Sequence, residues 1–228
     1  YNMNLYVKKK TENFNVGVEL GFLNGDPGVR DITNSNHFDF SGFGLATEFG
    51  YRIGDITLNL KAGLASGDDT STSRFEGFYF NPNYEVGMLM FSQPLGQYDI
   101  MSTRFNGSRV SAVSPSLPTG NQITGLDSES ISNAIYFAPQ FKYAAGERHD
   151  LTVTFVYGTL MKPYVAAGFP GQSMGFETDL GYSYHPTEKL TWATGVGFLF
   201  PGSAWAGVNN QFATDVAYGL TTKAAVSF

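Results

Sequence analysis

The strongest constraint on the fold of this chain is an alternation of period two. In its closing stretch FATDVAYGLTTKAAVSF, residues 212–228, every second residue is mostly apolar or aromatic, and the residues between them are small, polar or charged. Successive side chains of a β-strand point to opposite faces, so this pattern predicts a strand with two unlike faces. What the aromatic face packs against, water, protein or lipid, decides the class of protein.

The same alternation recurs along the chain, whereas helical periodicity is almost absent, and we predict an all-β fold. The sequence predicts about nine strands, at 1–8, 12–24, 43–53, 55–65, 131–143, 151–160, 174–184, 190–200 and 212–228. No run of 18 apolar residues is present, which excludes a transmembrane helix. A transmembrane β-strand needs only about 9–11 residues, half of them facing a polar lumen.

Short and long connections alternate strictly between these strands. The short ones are KKKTEN, RIGD, AAGERHD and HPTEK, and the long ones are 24–37, 66–128, 163–172 and 201–211. Outer-membrane barrels have tight periplasmic turns and long extracellular loops, whereas both ends of a soluble sandwich meet the same solvent. We therefore predict an antiparallel transmembrane β-barrel forming one domain over 1–228. Its region 65–128 is predicted as a long loop, either extracellular and packed on itself or folded into the lumen as a constriction.

The two faces of the strands differ in composition. Aromatic residues near the short turns are predicted to form an interfacial girdle: Tyr51, Tyr143, Tyr182, Tyr184, Trp192 and Phe228. The opposite face carries the charges predicted to line the lumen: Glu19, Glu48, Lys61, Lys142, Glu177, Asp179, Asp215 and Lys223. A soluble lipocalin-like barrel would reverse the faces. The scarcity of long charged side chains on the polar face argues against it, and a lysine at the lipid midplane would cost about 2–4 kcal/mol.

The composition excludes several other functions. The net charge is −6 with no basic stripe, which argues against nucleic acid as a partner, and cysteine is absent, which excludes disulfides and thiolate metal sites. The three histidines, His37, His149 and His185, are interpreted as solvated turn residues. We predict no cofactor, no metal and no enzyme. A hydrolase remains an alternative only if His37 meets acidic or serine partners at the barrel rim.

The end of the chain sets the predicted topology. Phe228, with Val226 and Ala224 at alternating positions before it, resembles the C-terminal targeting signal of bacterial outer-membrane barrels. The resemblance implies a periplasmic C-terminus in the outer membrane and recognition by the barrel assembly machinery. Bacterial single-chain barrels normally have an even number of strands. An odd count of nine therefore predicts that this is the C-terminal part of a larger barrel, whose N-terminal segment would be a further partner besides lipid.

One stretch resembles a known family. SMGFETDLGYSYHPTEKLTWATGVGFLFPGSAW, at 173–205, resembles alginate-export porins of Gram-negative bacteria in its Gly175, Glu177 and Asp179 and in its later Phe-Pro-Gly at 200–202; ASGDD at 65–69 is similar to a loop start in that group. The resemblance implies a large single-chain barrel that passes small solutes or a polysaccharide.

The inward charges depart from that family. They are mixed and slightly acidic, whereas the lumen of the alginate exporter is strongly basic. A general or cation-tolerant porin-like channel is therefore expected. The alternative is a plugged barrel whose long loops bind a partner.

Overall fold

The computed structural model describes residues 1–26, 28, 39–68, 72, 74–93, 130–162, 171–206, 208–210 and 212–227. These residues form ten strands and two short 3-10 turns, Ser203–Ala206 and Val208–Asn210. The strands are β1 Asn2–Lys10, β2 Phe14–Gly25, β3 Asp39–Ile53, β4 Ile56–Ala65, β5 Arg74–Phe75, β6 Ala134–Ala144, β7 His149–Leu160, β8 Ser173–Thr187, β9 Leu190–Pro201 and β10 Ala217–Val226.

The nine long strands form one continuous antiparallel meander. Their order is β1-β2-β3-β4-β6-β7-β8-β9-β10, and the two-residue β5 pairs in parallel with the start of β3. The predicted all-β class and the nine long strands are confirmed. The sheet is not closed into a barrel among the described residues, where β1 and β10 are its two edges.

The last strand is shorter than the alternation predicts. It begins at Ala217 rather than at 212. The backbone N–H of Phe212 donates to the carbonyl of Ala206 at 3.0 Å, which ties this residue to the preceding 3-10 turn instead of to β9. Alternation alone could not detect this tie, because the residues before Ala217 continue the pattern.

The predicted short turns are confirmed as tight hairpin connections. Gly54 has a φ of 58° in the two-residue turn between the paired Ile53 and Ile56, and Gly146 has a φ of 82° between β6 and β7. Glycine takes up such positive φ angles without the steric penalty that a Cβ brings.

The sheet exposes its aromatic face and buries the opposite one. Trp192 is 58% exposed and Phe137 50%, and other large apolar side chains share that face: Phe43, Phe49, Phe141, Leu151, Leu180, Phe198 and Phe200. The buried apolar residues lie on the polar face, between the sheet and the residues that follow β5: Tyr136, Ala138, Val156 and Leu199 on strands, against Val86, Leu89 and Met90. The aromatic face therefore has no protein cover among the described residues, opposite to a lipocalin-like arrangement. No helix in this part of the chain has the length and apolar character to cross a membrane.

Candidate functional site

Residues 75–93, called here the inserted segment, lie across the polar face of the sheet. Near its start, the N–H of Phe78 donates to the carbonyl of Ser66 at 2.9 Å and the N–H of Phe80 donates to that of Ile131 at 3.0 Å. Tyr79 forms an isolated antiparallel bridge with Ser132. These backbone contacts thus hold the first residues of the inserted segment between the residue that follows β4 and those that precede β6.

Two carboxylates of β8 bind the far end of the inserted segment. Glu177 accepts hydrogen bonds from the backbone N–H groups of Leu89, at 2.8 Å, and Met90, at 2.5 Å. Asp179 accepts from the N–H of Met88 at 3.0 Å through Oδ2. Glu177 is 0% exposed, so this bonding is the compensation for burying its charge. Three consecutive amides are held by two side chains that share one strand face.

Small residues on the sheet make room for the inserted segment. A Cβ added to Gly44 would lie 2.6 Å from the ring of Phe78, and one added to Gly219 would lie 2.8 Å from Cδ2 of Leu89. Both distances are too short for a real contact. The abundance of glycine on the polar face, which the sequence already shows, therefore fits the close approach of a second layer of chain.

The middle of the inserted segment carries aromatic and charged contacts. Tyr136 donates a hydrogen bond from its hydroxyl to that of Tyr84 at 3.2 Å. Lys61 donates from Nζ to the carbonyl of Glu85 at 2.8 Å and lies 5.1 Å from the centre of the Tyr84 ring. Burial raises the pKa of Tyr84 above its ordinary value, so its phenol stays neutral at neutral pH.

A row of polar side chains runs across four neighbouring strands beside the inserted segment. Asn59 of β4 donates to Oε1 of Gln140 on β6, and Gln140 donates to Oγ1 of Thr154 on β7, both at 3.0 Å. Asp179 of β8 is the register partner of Thr154. We call Asn59, Gln140, Thr154 and Asp179 the polar row. Between it, Lys61 and residues 85–88 lies a cavity of about 320 Å³.

The structure brings together some of the predicted lumen charges. Glu48 and Lys61 pair at 3.8 Å, and each lies with Glu177 and Asp179 on the polar face. Glu19 is exposed opposite Ala46, on that same face. These positions agree with a lumen-lining role, which stays a prediction.

Three predicted charges lie apart from this group. Nζ of Lys142 lies 2.8 Å from the carboxylate of Asp150 near the short turn. Lys223 is exposed opposite Ala193. Asp215 is exposed and precedes β10, so no strand register assigns it to a face.

The predicted girdle residues lie at the short-turn end of the sheet. Tyr51, Tyr143, Tyr182 and Trp192 are between 42% and 58% exposed on the aromatic face. Tyr184 is half-buried, because His149 stacks on it with ring centres 5.0 Å apart. Phe228 lies outside the described residues. Five of the six therefore occupy one end of the sheet, as a girdle would require.

The described histidines belong to the short-turn end as well. His149 Nδ1 lies 2.8 Å from the hydroxyl of Tyr182, and His185 lies between Asp150 and Thr191 at 3.1 and 3.0 Å. His37 lies outside the described residues. Among the residues that are described, no three His, Asp or Glu side chains are grouped so that they could hold a metal ion.

Sequence reasoning missed the polar row. The alternation does not single out Asn59, Gln140 and Thr154, because they carry no charge. Their place on the inward face of three predicted strands was visible in the alternation. What was not visible is the register that puts them side by side.

Fold and site together define an open antiparallel sheet with one exposed apolar face and one polar face that is partly covered by its own chain. The solved structures to which the chain is similar include OmpT, an outer membrane protein of Vibrio cholerae in its trimer form, with 10% identity over 97% of this chain and 54% of that one, at a TM-score of 0.42. They also include the outer membrane protein OpdK of Pseudomonas aeruginosa, with 13% identity over 98% of this chain and 48% of that one, at a TM-score of 0.46. A third is a BenF-like porin of Pseudomonas fluorescens, with 11% identity over 99% of this chain and 47% of that one, at a TM-score of 0.45.

The first two are outer membrane proteins and the third is a porin. The chain spans about half the length of each, and at TM-scores below 0.5 the likeness supports no argument about activity. Comparison with family profiles and with curated proteins finds no match.

Proposed function

We propose that the protein is a channel of the bacterial outer membrane that passes small polar solutes passively through a polar lumen. The observation that carries the proposal is the inverted burial of the sheet. Many large apolar side chains on one face are exposed, from 39% at Phe198 to 80% at Tyr218, and the polar face holds the buried residues. Exposed apolar surface of this extent is typical of contact with lipid or another apolar partner.

In this proposal the short-turn end of the sheet is periplasmic and the C-terminus lies on that side. The girdle residues Tyr51, Tyr143, Tyr182, Tyr184 and Trp192 would then lie at the inner interface of the membrane. Phe228 remains the proposed contact for the barrel assembly machinery.

A sheet in lipid needs its edges paired, because unsatisfied backbone groups in hydrocarbon cost several kcal/mol each. The edges here are β1, which is exposed on both faces along its whole length, and β10. We propose that further strands of the same barrel pair with these edges. That closure would turn the polar face into a lumen.

The inserted segment would narrow that lumen. Its anchors, Glu177 and Asp179, are occupied by backbone amides. The other charges on the polar face are mixed and include Glu19, Glu48 and Glu85 against Lys8, Lys61 and Lys223. Because charged rings in a pore set its ion preference, this mixed set favours weak ion selectivity and offers no strong attraction for a polyanion such as alginate.

A second candidate is a plugged barrel with a structural or partner-binding role and no flow. The observation that favours it is the inserted segment itself, which covers much of the polar face. An enzyme has no comparable observation in its favour, and we propose a protein without catalysis.

The experiment that separates the two is single-channel recording of the intact precursor in planar lipid bilayers. Steady openings with weak selectivity between potassium and chloride are expected for the channel. Silence from protein whose folding is established by its heat-modifiable migration in gels would favour the plugged barrel instead.

A further inference from the structure

The polar row has unused hydrogen-bonding capacity that faces the cavity. Each side-chain amide offers two N–H donors and one carbonyl acceptor. The bonds from Asn59 to Gln140 and from Gln140 to Thr154 leave one N–H of each amide and the Asn59 oxygen without a partner in the described part of the chain. A polar molecule in the cavity would meet donors and acceptors in steps of about 4.8 Å, the spacing of strands.

Asp179 adds an acceptor at the end of this row. Its Oδ2 accepts from Met88, whereas its Oδ1 is buried and has no hydrogen-bond partner among the described residues. Buried polar atoms are nearly always satisfied, by protein, water or ligand. Oδ1 is closed off from the cavity, because it lies against Gly197 of the neighbouring β9. The acceptor that Asp179 can offer a ligand is therefore the second lone pair of Oδ2.

The charges around the cavity disfavour a ligand with net charge. Lys61 is engaged by the carbonyl of Glu85 and by the carboxylate of Glu48. An anion in the cavity would lie close to the side chains of Asp179 and Glu85, and a cation would lie close to the ammonium group of Lys61. Like charge therefore repels either ion. The remaining wall includes Ala138, Val86 and Met88, apolar surface suited to the C–H face of a ring.

From this juxtaposition of the amides and hydroxyl of the polar row with the apolar wall, we propose that the cavity is a binding subsite for a neutral, hydroxyl-rich solute of about the size of one sugar ring. Its volume of about 320 Å³ lies at the lower end of the range for small-molecule sites. The inference rests on the proposed channel, which gives such a solute its route to the site.

The test uses glucose as the probe and a matched pair of variants in the intact precursor. Thr154→Val removes the hydroxyl that accepts from Gln140, and Thr152→Val makes the same change two residues away on the same face, outside the cavity lining. Binding is measured by saturation-transfer NMR in detergent, and channel occupancy by the glucose-induced reduction of ion current. Thr154→Val is expected to weaken glucose binding by about three- to tenfold, the effect of one lost neutral hydrogen bond, while Thr152→Val leaves it unchanged.

The outcomes separate the subsite from the channel. Normal conductance with no glucose contact, or equal glucose binding in the two variants, overturns the subsite and leaves the channel standing. Tighter binding of gluconate or of protonated glucosamine, which resemble glucose but carry a net charge, than of glucose overturns the neutral character of the ligand. Glucose contact in NMR without conductance keeps the subsite and overturns the open channel.

Discussion

Glu177 is the residue on which the position of the inserted segment most depends. It is fully buried and accepts two backbone hydrogen bonds 87 and 88 residues away in sequence. Glu177→Gln keeps the shape, but the new amide must turn an N–H toward a backbone N–H. We expect a loss of about 1.5–3 kcal/mol in the free energy of unfolding, the value of a hydrogen bond to a charged group. Urea unfolding in lipid vesicles measures the loss.

Glu48→Gln is the matched control, because it removes a carboxylate that is about half exposed. Its pair with Lys61 at 3.8 Å belongs to the class of exposed ion pairs worth about 0–1 kcal/mol. An equal loss of unfolding free energy in Glu48→Gln and in Glu177→Gln would mean that the hydrogen bonds from Leu89 and Met90 to Glu177 stabilise the fold no more than the exposed ion pair does. The alternation alone predicts that Glu177 faces inward. It could not show that Glu177 binds the backbone N–H groups of Leu89 and Met90, since every residue except proline carries the same N–H group.

At the scale of elements, the packing of the inserted segment on the sheet depends on Gly44. Gly44→Leu would place a side chain where the ring of Phe78 now lies, 2.6 Å from the position of a Cβ. The segment must then move off the sheet. We expect faster cleavage within 75–93 by added protease and larger or noisier single-channel currents. Gly181→Leu is the control, since a Cβ there meets Thr152 at an ordinary 3.4 Å; equal cleavage of both variants would argue against this packing.

The strands could be predicted from sequence because each is coded locally, by alternation and by turns such as Gly54 and Gly146. The inserted segment could not, because its contacts depend on register. Met88 reaches Asp179 across 91 residues, and the row from Asn59 to Thr154 exists only once β4, β6 and β7 are aligned. The start of β10 differs from the alternation for a related reason: the backbone N–H of Phe212 donates to Ala206 and not to β9.

The whole molecule presents two faces that must meet different surroundings if the proposed channel is correct. Its two tryptophans allow a direct test, because Trp205 is buried and Trp192 is exposed on the aromatic face near the short turns. In the Trp205→Phe variant, Trp192 is the only tryptophan within residues 1–228, and any tryptophan of the proposed further strands is replaced by phenylalanine as well. In lipid vesicles, we expect bromine atoms near the headgroups to quench its fluorescence more strongly than bromine atoms at the chain ends, because girdle residues lie at the interface.

Two further single-tryptophan proteins complete that test of the whole sheet. With Trp192→Phe and Trp205→Phe as background, Leu180→Trp places the probe midway along β8 on the aromatic face, and Ala193→Trp places it on the polar face of β9. The first is expected to be quenched most strongly by bromines deep in the acyl chains, and the second only weakly by bromines at any depth. Strong lipid quenching at 193 with none at 180 would reverse the faces, and with them the proposed lumen, because the polar row shares its face with residue 193 and not with residue 180.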